Sequence, residues 1–132
     1  AMSEGSFLAG VALCNARLGA VHGLAHPIGA LTHLPHGQVC ATLLPVVLEM
    51  NMPAIARRLP VLQHHLGQDP LGRVRQFMDK MGIPHHLDFT PDESQMRMII
   101  EAAKSSGSSK ANPVPVDEAY VREVVAKTCV AV

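Results

Sequence analysis

The sequence carries no excess of either charge: 11 lysines and arginines stand against 11 aspartates and glutamates. Without a basic field, neither nucleic acid nor an anionic lipid surface is an expected partner. No uninterrupted apolar run reaches about 20 residues, the length a membrane-spanning helix takes. No basic stretch precedes the first apolar one, so no secretory signal is expected. Ala1 ahead of Met2 looks like a remnant of tag removal. Cysteine is scarce: Cys14, Cys40 and Cys129 are odd in number and widely spaced. They fit neither a disulfide framework nor a Cys-x-x-Cys metal site, and a reduced, cytoplasmic setting is the default expectation. Gly-x-Gly-x-x-Gly, a Walker loop and Gly-x-Ser-x-Gly are all absent, so the sequence offers no dinucleotide cradle, phosphate loop or nucleophile elbow. Paired acidic residues fall only at expected helix starts, where they favour the dipole.

What is present is apolar and helical. The 132 residues suffice for one domain with one core. They are 48% hydrophobic and only 17% charged, a balance that suits either a helical core or burial against a second domain or subunit. From Ser3 to about His26, Phe7, Val11, Cys14, Leu18, Val21 and Ala25 recur at three- and four-residue steps, which predicts one largely buried helix. Pro27 biases His26 away from helical angles and predicts a boundary or kink there. A compact connection over Ile28 to Gly37 is expected next, then a buried helix from Gln38 to Asn51 with a kink at Pro45.

Later helices are better punctuated. Pro53 is expected to open a helix that Pro60 disturbs. Asp69-Pro70 is an N-cap and first-turn pair, and Gly82 with Ile83 and Pro84 is a left-handed stop. Thr90-Pro91-Asp92-Glu93 predicts a capping box with proline at the first helical position. Lys104 to Pro115 is expected to be a loop, after which Asp117 caps a last helix through Val125. The class expected is all-α.

Four of the eight histidines fall between Val21 and Gly37. His22 and His26 are four apart and share one helix face. His36 stands at the mouth of the next helix, where a connection folding back would bring it level with His22. Neutral imidazole suits iron, zinc, copper or nickel. A single histidine beside an apolar helix is also a common hydrogen-bonded packing residue, so spacing alone leaves both readings open. The stretch between His22 and His36 holds no Asp, Glu or Cys, so it supplies an incomplete catalytic set. The pairs His64-His65 and His85-His86 diverge on a helix and are expected to be polar surface. His33 is left unassigned.

The same stretch resembles the signature of the iron-containing alcohol dehydrogenases. The residues that carry it are Gly19-Ala-Val-His22-Gly-Leu-Ala-His26-Pro-Ile-Gly29, then Pro35-His36-Gly37, then Leu43-Leu44-Pro45. Phe7 to Ala12 with Asn15, Met81-Gly82-Ile83-Pro84 and Asn112-Pro113 also look like that family. The resemblance implies the helical C-terminal bundle of the dehydroquinate synthase-like, iron-containing alcohol dehydrogenase fold. It implies His22 and His36 as metal ligands, and His26 as a histidine near substrate and nicotinamide that relays a proton or orients substrate. It implies Fe2+, with Zn2+ possible, and NAD or NADP bound by an N-terminal α/β domain. The ferrous ion of such enzymes favours the alkoxide of a primary or secondary alcohol, which gives hydride to the nicotinamide and leaves an aldehyde or ketone.

Family members take an Asp and a further His from an earlier helix, ahead of the matched segment. The chain is therefore expected to be one all-helical domain over residues 1–132, a fragment of a longer homo-oligomeric enzyme and inactive alone. A zinc-dependent glycerol dehydrogenase-like fragment and a non-enzymatic helical oligomerisation module are the alternatives.

Overall fold

The structure is a computed structural model that describes residues 1–131. Seven α-helices follow one another: α1 (Met2–Ala16), α2 (Ala20–Thr32), α3 (His36–Asn51), α4 (Leu59–Leu66), α5 (Pro70–Met81), α6 (Glu93–Ser105) and α7 (Glu118–Thr128). Short 3-10 turns occupy Ala56–Arg58 and Ser109–Ala111. Two two-residue strands, β1 (Leu87–Asp88) and β2 (Cys129–Val130), pair in parallel, with Leu87 opposite Cys129. The all-α class is as expected, and the strand pair is an addition that two-residue segments could not signal.

The core is built by α2, α3, α6 and α7. Leu24 and Ile28 of α2, Val39 and Leu43 of α3, Ile99 and Ile100 of α6, and Val121 and Val124 of α7 belong to one buried cluster. Each fully buried side chain of this size contributes roughly 1.5–3 kcal/mol. Stability therefore concentrates in these four helices. Helix α4 has no buried residue and rests beside α5.

The expected single helix from Ser3 to His26 is two helices. The chain breaks at Arg17, whose φ is 61°, and α1 and α2 meet at a bend of 100°. Helix α1 is exposed along its whole length rather than buried. Its apolar residues lie around most of its circumference, which says that the helix wants cover but not that this chain supplies it.

Of the boundary or kink expected at Pro27, the boundary is absent. Helix α2 runs through Pro27 to Thr32, because packing on both sides holds Leu24, Ala25, Pro27 and Ile28 in the core. Proline removes one internal hydrogen bond there without ending the helix. The connection before α3 shrinks to His33, Leu34 and Pro35, and α3 starts at His36 and continues through Pro45.

Further along, Pro53 lies in turns, and Pro60 sits in the first turn of α4, where its missing N–H costs nothing. The cap of α5 is as read: the Asp69 carboxylate accepts from the Gly72 N–H at 2.9 Å. Gly82 closes α5 at φ 66°, with the Ile83 N–H donating to the Met78 carbonyl at 2.9 Å. The capping box of α6 is displaced from Thr90 to Asp92. Asp92 and Gln95 exchange bonds of 2.8 and 2.9 Å, because glutamine three residues on can reach back to the Asp92 N–H. Asp117 caps α7 through the Tyr120 N–H at 2.8 Å.

One polar group ties the bundle across the core. Asn112 and Asn51 pair amide to amide, with bonds of 2.9 and 3.0 Å. The Asn112 oxygen also accepts the Ala20 N–H at 3.1 Å, and the Tyr120 hydroxyl donates to Asn51 at 3.2 Å. Asn112 further donates to the Val114 carbonyl at 2.8 Å. The start of α2, the end of α3 and the start of α7 thus meet at one point. Replacing Asn112 with alanine orphans the Asn51 amide and the Ala20 N–H, and about 3 kcal/mol of stability should be lost. A urea midpoint that moves by the equivalent of less than about 1 kcal/mol would refute this role.

Candidate metal centre

The geometry begins with the start of α2. Gly19 precedes its first residue, and a Cβ there would stand 2.9 Å from the Asn112 oxygen. The absent side chain lets Asn112 reach the Ala20 N–H, which sets the direction of the first turn and therefore of His22. Gly23, next in line, lies so close to Ser109 that a Cβ on it would collide with the serine hydroxyl. Glycine at these two positions seats α2 on the Ser109–Ala111 turn.

The reversal after α2 places the second histidine. His33 takes the left-handed conformation at φ 57°, ψ 18°, and its N–H donates to the Gly29 carbonyl at 2.9 Å. The Thr32 hydroxyl donates to the Ile28 carbonyl at 2.9 Å and accepts from the Leu34 N–H at 3.4 Å. Pro35 then opens α3, with His36 its first residue. The result brings the His22 and His36 rings to a centroid separation of 5.3 Å, tilted by 58°.

A third donor joins them that the sequence reading passed over. Cys40 lies four residues after His36 on α3, and its Sγ stands 3.4 Å from His36 Nε2. One ligand atom each from His22, His36 and Cys40 lies within 4.8 Å of the other two. The available signal was the His-x-x-x-Cys spacing on a segment already expected to be helical. Cys40 belongs to no Cys-x-x-Cys pair and lies beyond the His22–His36 stretch, so neither pattern includes it.

His22 is half-buried, whereas His36 is exposed. Burial first, and then the neighbouring His36, hold the His22 pKa below its ordinary 6.5. Both causes favour the neutral ring, the form that binds a metal. Burial pushes the Cys40 thiol up. His26 lies one turn beyond His22 on α2, exposed and outside this group of three. His33 is exposed in the reversal. The His64 and His65 rings lie edge to face at 4.9 Å, and His85 meets Asp79 at 2.7 Å on the surface. Among the described residues, the three-donor group is the one cluster of histidine, cysteine and carboxylate side chains with metal-binding separations.

The donor chemistry fits a divalent metal. Tetrahedral zinc with nitrogen and sulfur ligands has donor–donor edges of roughly 3.3–3.6 Å, and the Cys40–His36 separation already matches one. The chain is thus a helical bundle that gathers two imidazoles and a thiol where α2 and α3 begin. It belongs to the Fe-containing alcohol dehydrogenase family, matching the family's C-terminal region over residues 1–129.

Among curated proteins it is similar to the 1,3-propanediol dehydrogenase of Citrobacter freundii, with 31% identity covering 93% of this chain and 35% of that protein. It is similar to alcohol dehydrogenase 4 of Saccharomyces cerevisiae, with 34% identity covering 96% of this chain and 35% of that protein. A shorter match, to the lactaldehyde reductase of Escherichia coli K12, reaches 48% identity over 50 residues, 38% of this chain and 13% of that protein. The chain spans about a third of the length of the first two relatives. No solved structure is a significant match.

The His22 environment gives a direct test. In the metal-free chain, His22 should titrate below 6.5, and His36→Gln should move it upward but not the whole way, since burial is the larger cause. The sign for stability follows. A depressed folded-state value gives a contribution that is full above 6.5 and is lost as pH falls through the folded value. Imidazole proton shifts followed by NMR against pH check both variants, and a downward or absent shift in His36→Gln would count against the pairing.

Proposed function

We propose that this chain is the helical metal-binding part of a longer NAD(P)-dependent alcohol dehydrogenase, one all-helical domain over residues 1–132. Its reaction is the oxidation of a primary or secondary alcohol to an aldehyde or ketone, or the reverse. The observation that carries the reading is the convergence of His22 and His36, held by the family-like histidine block, in a chain that belongs to this family. The named activities of the relatives, on 1,3-propanediol, alcohols and lactaldehyde, support small alcohols and aldehydes as the substrate class.

The residues divide the work by position. His22 and His36 hold the metal, which is iron by family membership, with zinc as the other candidate. The chemistry a bound metal supplies there is Lewis-acid polarisation of an alcohol or carbonyl oxygen. His26 is exposed one turn along α2, where it orients substrate or relays a proton to solvent. The buried flank of α2, packed on α3 and α6, fixes the helix backbone from which His22 projects. NAD or NADP binds outside the residues of this chain, which carries no dinucleotide motif. The isolated chain therefore has no turnover of its own.

Metal content tests the reading. The chain, loaded with ferrous iron under anaerobic conditions or with zinc, should bind at a site that His22→Ala or His36→Ala weakens by at least about tenfold. Equal affinity in both variants and the parent would remove these histidines from the site.

Helix α1 bears on the assembly. Phe7 and Leu8 are 70% and 64% exposed, and Met2, Val11 and Leu13 are exposed beside them. Apolar surface of this extent seldom stays bare in water, so the chain should self-associate through α1. Light scattering behind a sizing column should report a dimer or larger species that Phe7→Asp with Leu8→Asp returns to a monomer. A monomeric parent at high concentration, without binding of a hydrophobic-surface dye, would contradict it.

A further inference from the structure

We propose that Cys40 is a third donor to the metal held by His22 and His36. This chain then offers a two-imidazole, one-thiolate set whose zinc affinity depends on the sulfur more than its ferrous affinity does. The inference rests on the metal reading above and adds to it a ligand and a preference.

Placement argues for it first. His36 and Cys40 are one turn apart on one face of α3, and their donor atoms already stand at a tetrahedral edge, 3.4 Å. Side chains of a helix lean toward its N-terminus, so Cys40 reaches back over the first turn toward His36 and the opening turn of α2. All three donor atoms lie within 4.8 Å of one another. Closing on a metal requires side-chain movements of about 1 Å, given bond lengths near 2.0–2.3 Å.

Charge argues for it next. His22 and His36 both lie in the first turns of helices, at the partly positive ends. Two neutral imidazoles at such a place do nothing to offset a divalent cation. Among the described residues, no carboxylate joins the group, and Cys40 is its one member able to become an anion. Its thiol yields a proton to solvent on binding, as thiolate ligands do. A thiolate with imidazoles suits zinc, whereas ferrous sites of oxygen chemistry lean on carboxylates.

Cobalt(II) in place of zinc reads the ligands by colour. The 132-residue chain with one equivalent of cobalt should show visible ligand-field bands together with a near-ultraviolet sulfur-to-cobalt charge-transfer band. Cys40→Ser should lose the charge-transfer band, keep ligand-field absorption and bind zinc at least about tenfold more weakly, with a smaller loss for ferrous iron. Cys14→Ser should keep the band. Far-ultraviolet circular dichroism checks that Cys40→Ser is folded, and if it is not, the charge-transfer band of the unaltered chain and of Cys14→Ser decides. Ligand-field bands without charge transfer in the unaltered chain, or charge transfer that survives in folded Cys40→Ser, overturns the Cys40 ligand and leaves the two histidines standing. Failure to bind cobalt at all overturns both this inference and the metal reading beneath it.

Discussion

The structure depends on a pair of side-chain amides. Asn51 closes α3 and Asn112 follows the Ser109–Ala111 turn, far apart in sequence, and their reciprocal bonds place the start of α2 against both. A backbone N–H at a helix start has no partner within its own helix. The Asn112 oxygen satisfies that need at Ala20, and in doing so it aims His22. Without this anchor the apolar packing of α2 on α3 and α6 could still form, but its rotation about the helix axis would rest on contacts such as those of Gly23, Leu24 and Ile28. Apolar contacts are not directional. Hydrogen bonds are, and one near the site fixes the angle at which an imidazole leaves the helix.

The site shows how little sequence distance says about chemistry. The three donors come from two helices joined by three residues, His33, Leu34 and Pro35. A left-handed histidine and a proline make the reversal, and the second helix then starts with a histidine. Desolvation and a like-charged neighbour both keep His22 neutral, the state a metal ligand needs. The thiol nearby, pushed up by burial, stays protonated in the metal-free chain at neutral pH. A cation arriving there meets a neutral imidazole at His22 and a protonated thiol at Cys40, and the thiol gives up its proton as the metal binds.

Helix α1 stands apart from this economy of packing. It turns away from α2 at a right angle and exposes Phe7 and Leu8. Its apolar residues stay in water because the packing of the other helices does not reach them. The core of α2, α3, α6 and α7 closes without it.

Much of the fold was legible from residue order. Caps declare themselves locally, since Asp69, Asp117 and Gly82 act on atoms within five residues, and they were placed where the structure has them. The helical class followed from apolar periodicity, and the histidine block with its Pro-His-Gly pointed to the family. The failures have a common cause. Pro27 lowers helix stability locally, yet burial on several sides outweighs one missing hydrogen bond, and that burial involves residues tens of positions away. The exposure of α1 could not be read, because composition records a need for cover without recording its source. Cys40 was hidden for the same reason: a cysteine becomes a candidate ligand only when a second helix brings His22 beside it. Local chemistry was written in the sequence, while the convergence of His22, His36 and Cys40 was decided by how α2 and α3 pack and by the asparagine pair that sets their register.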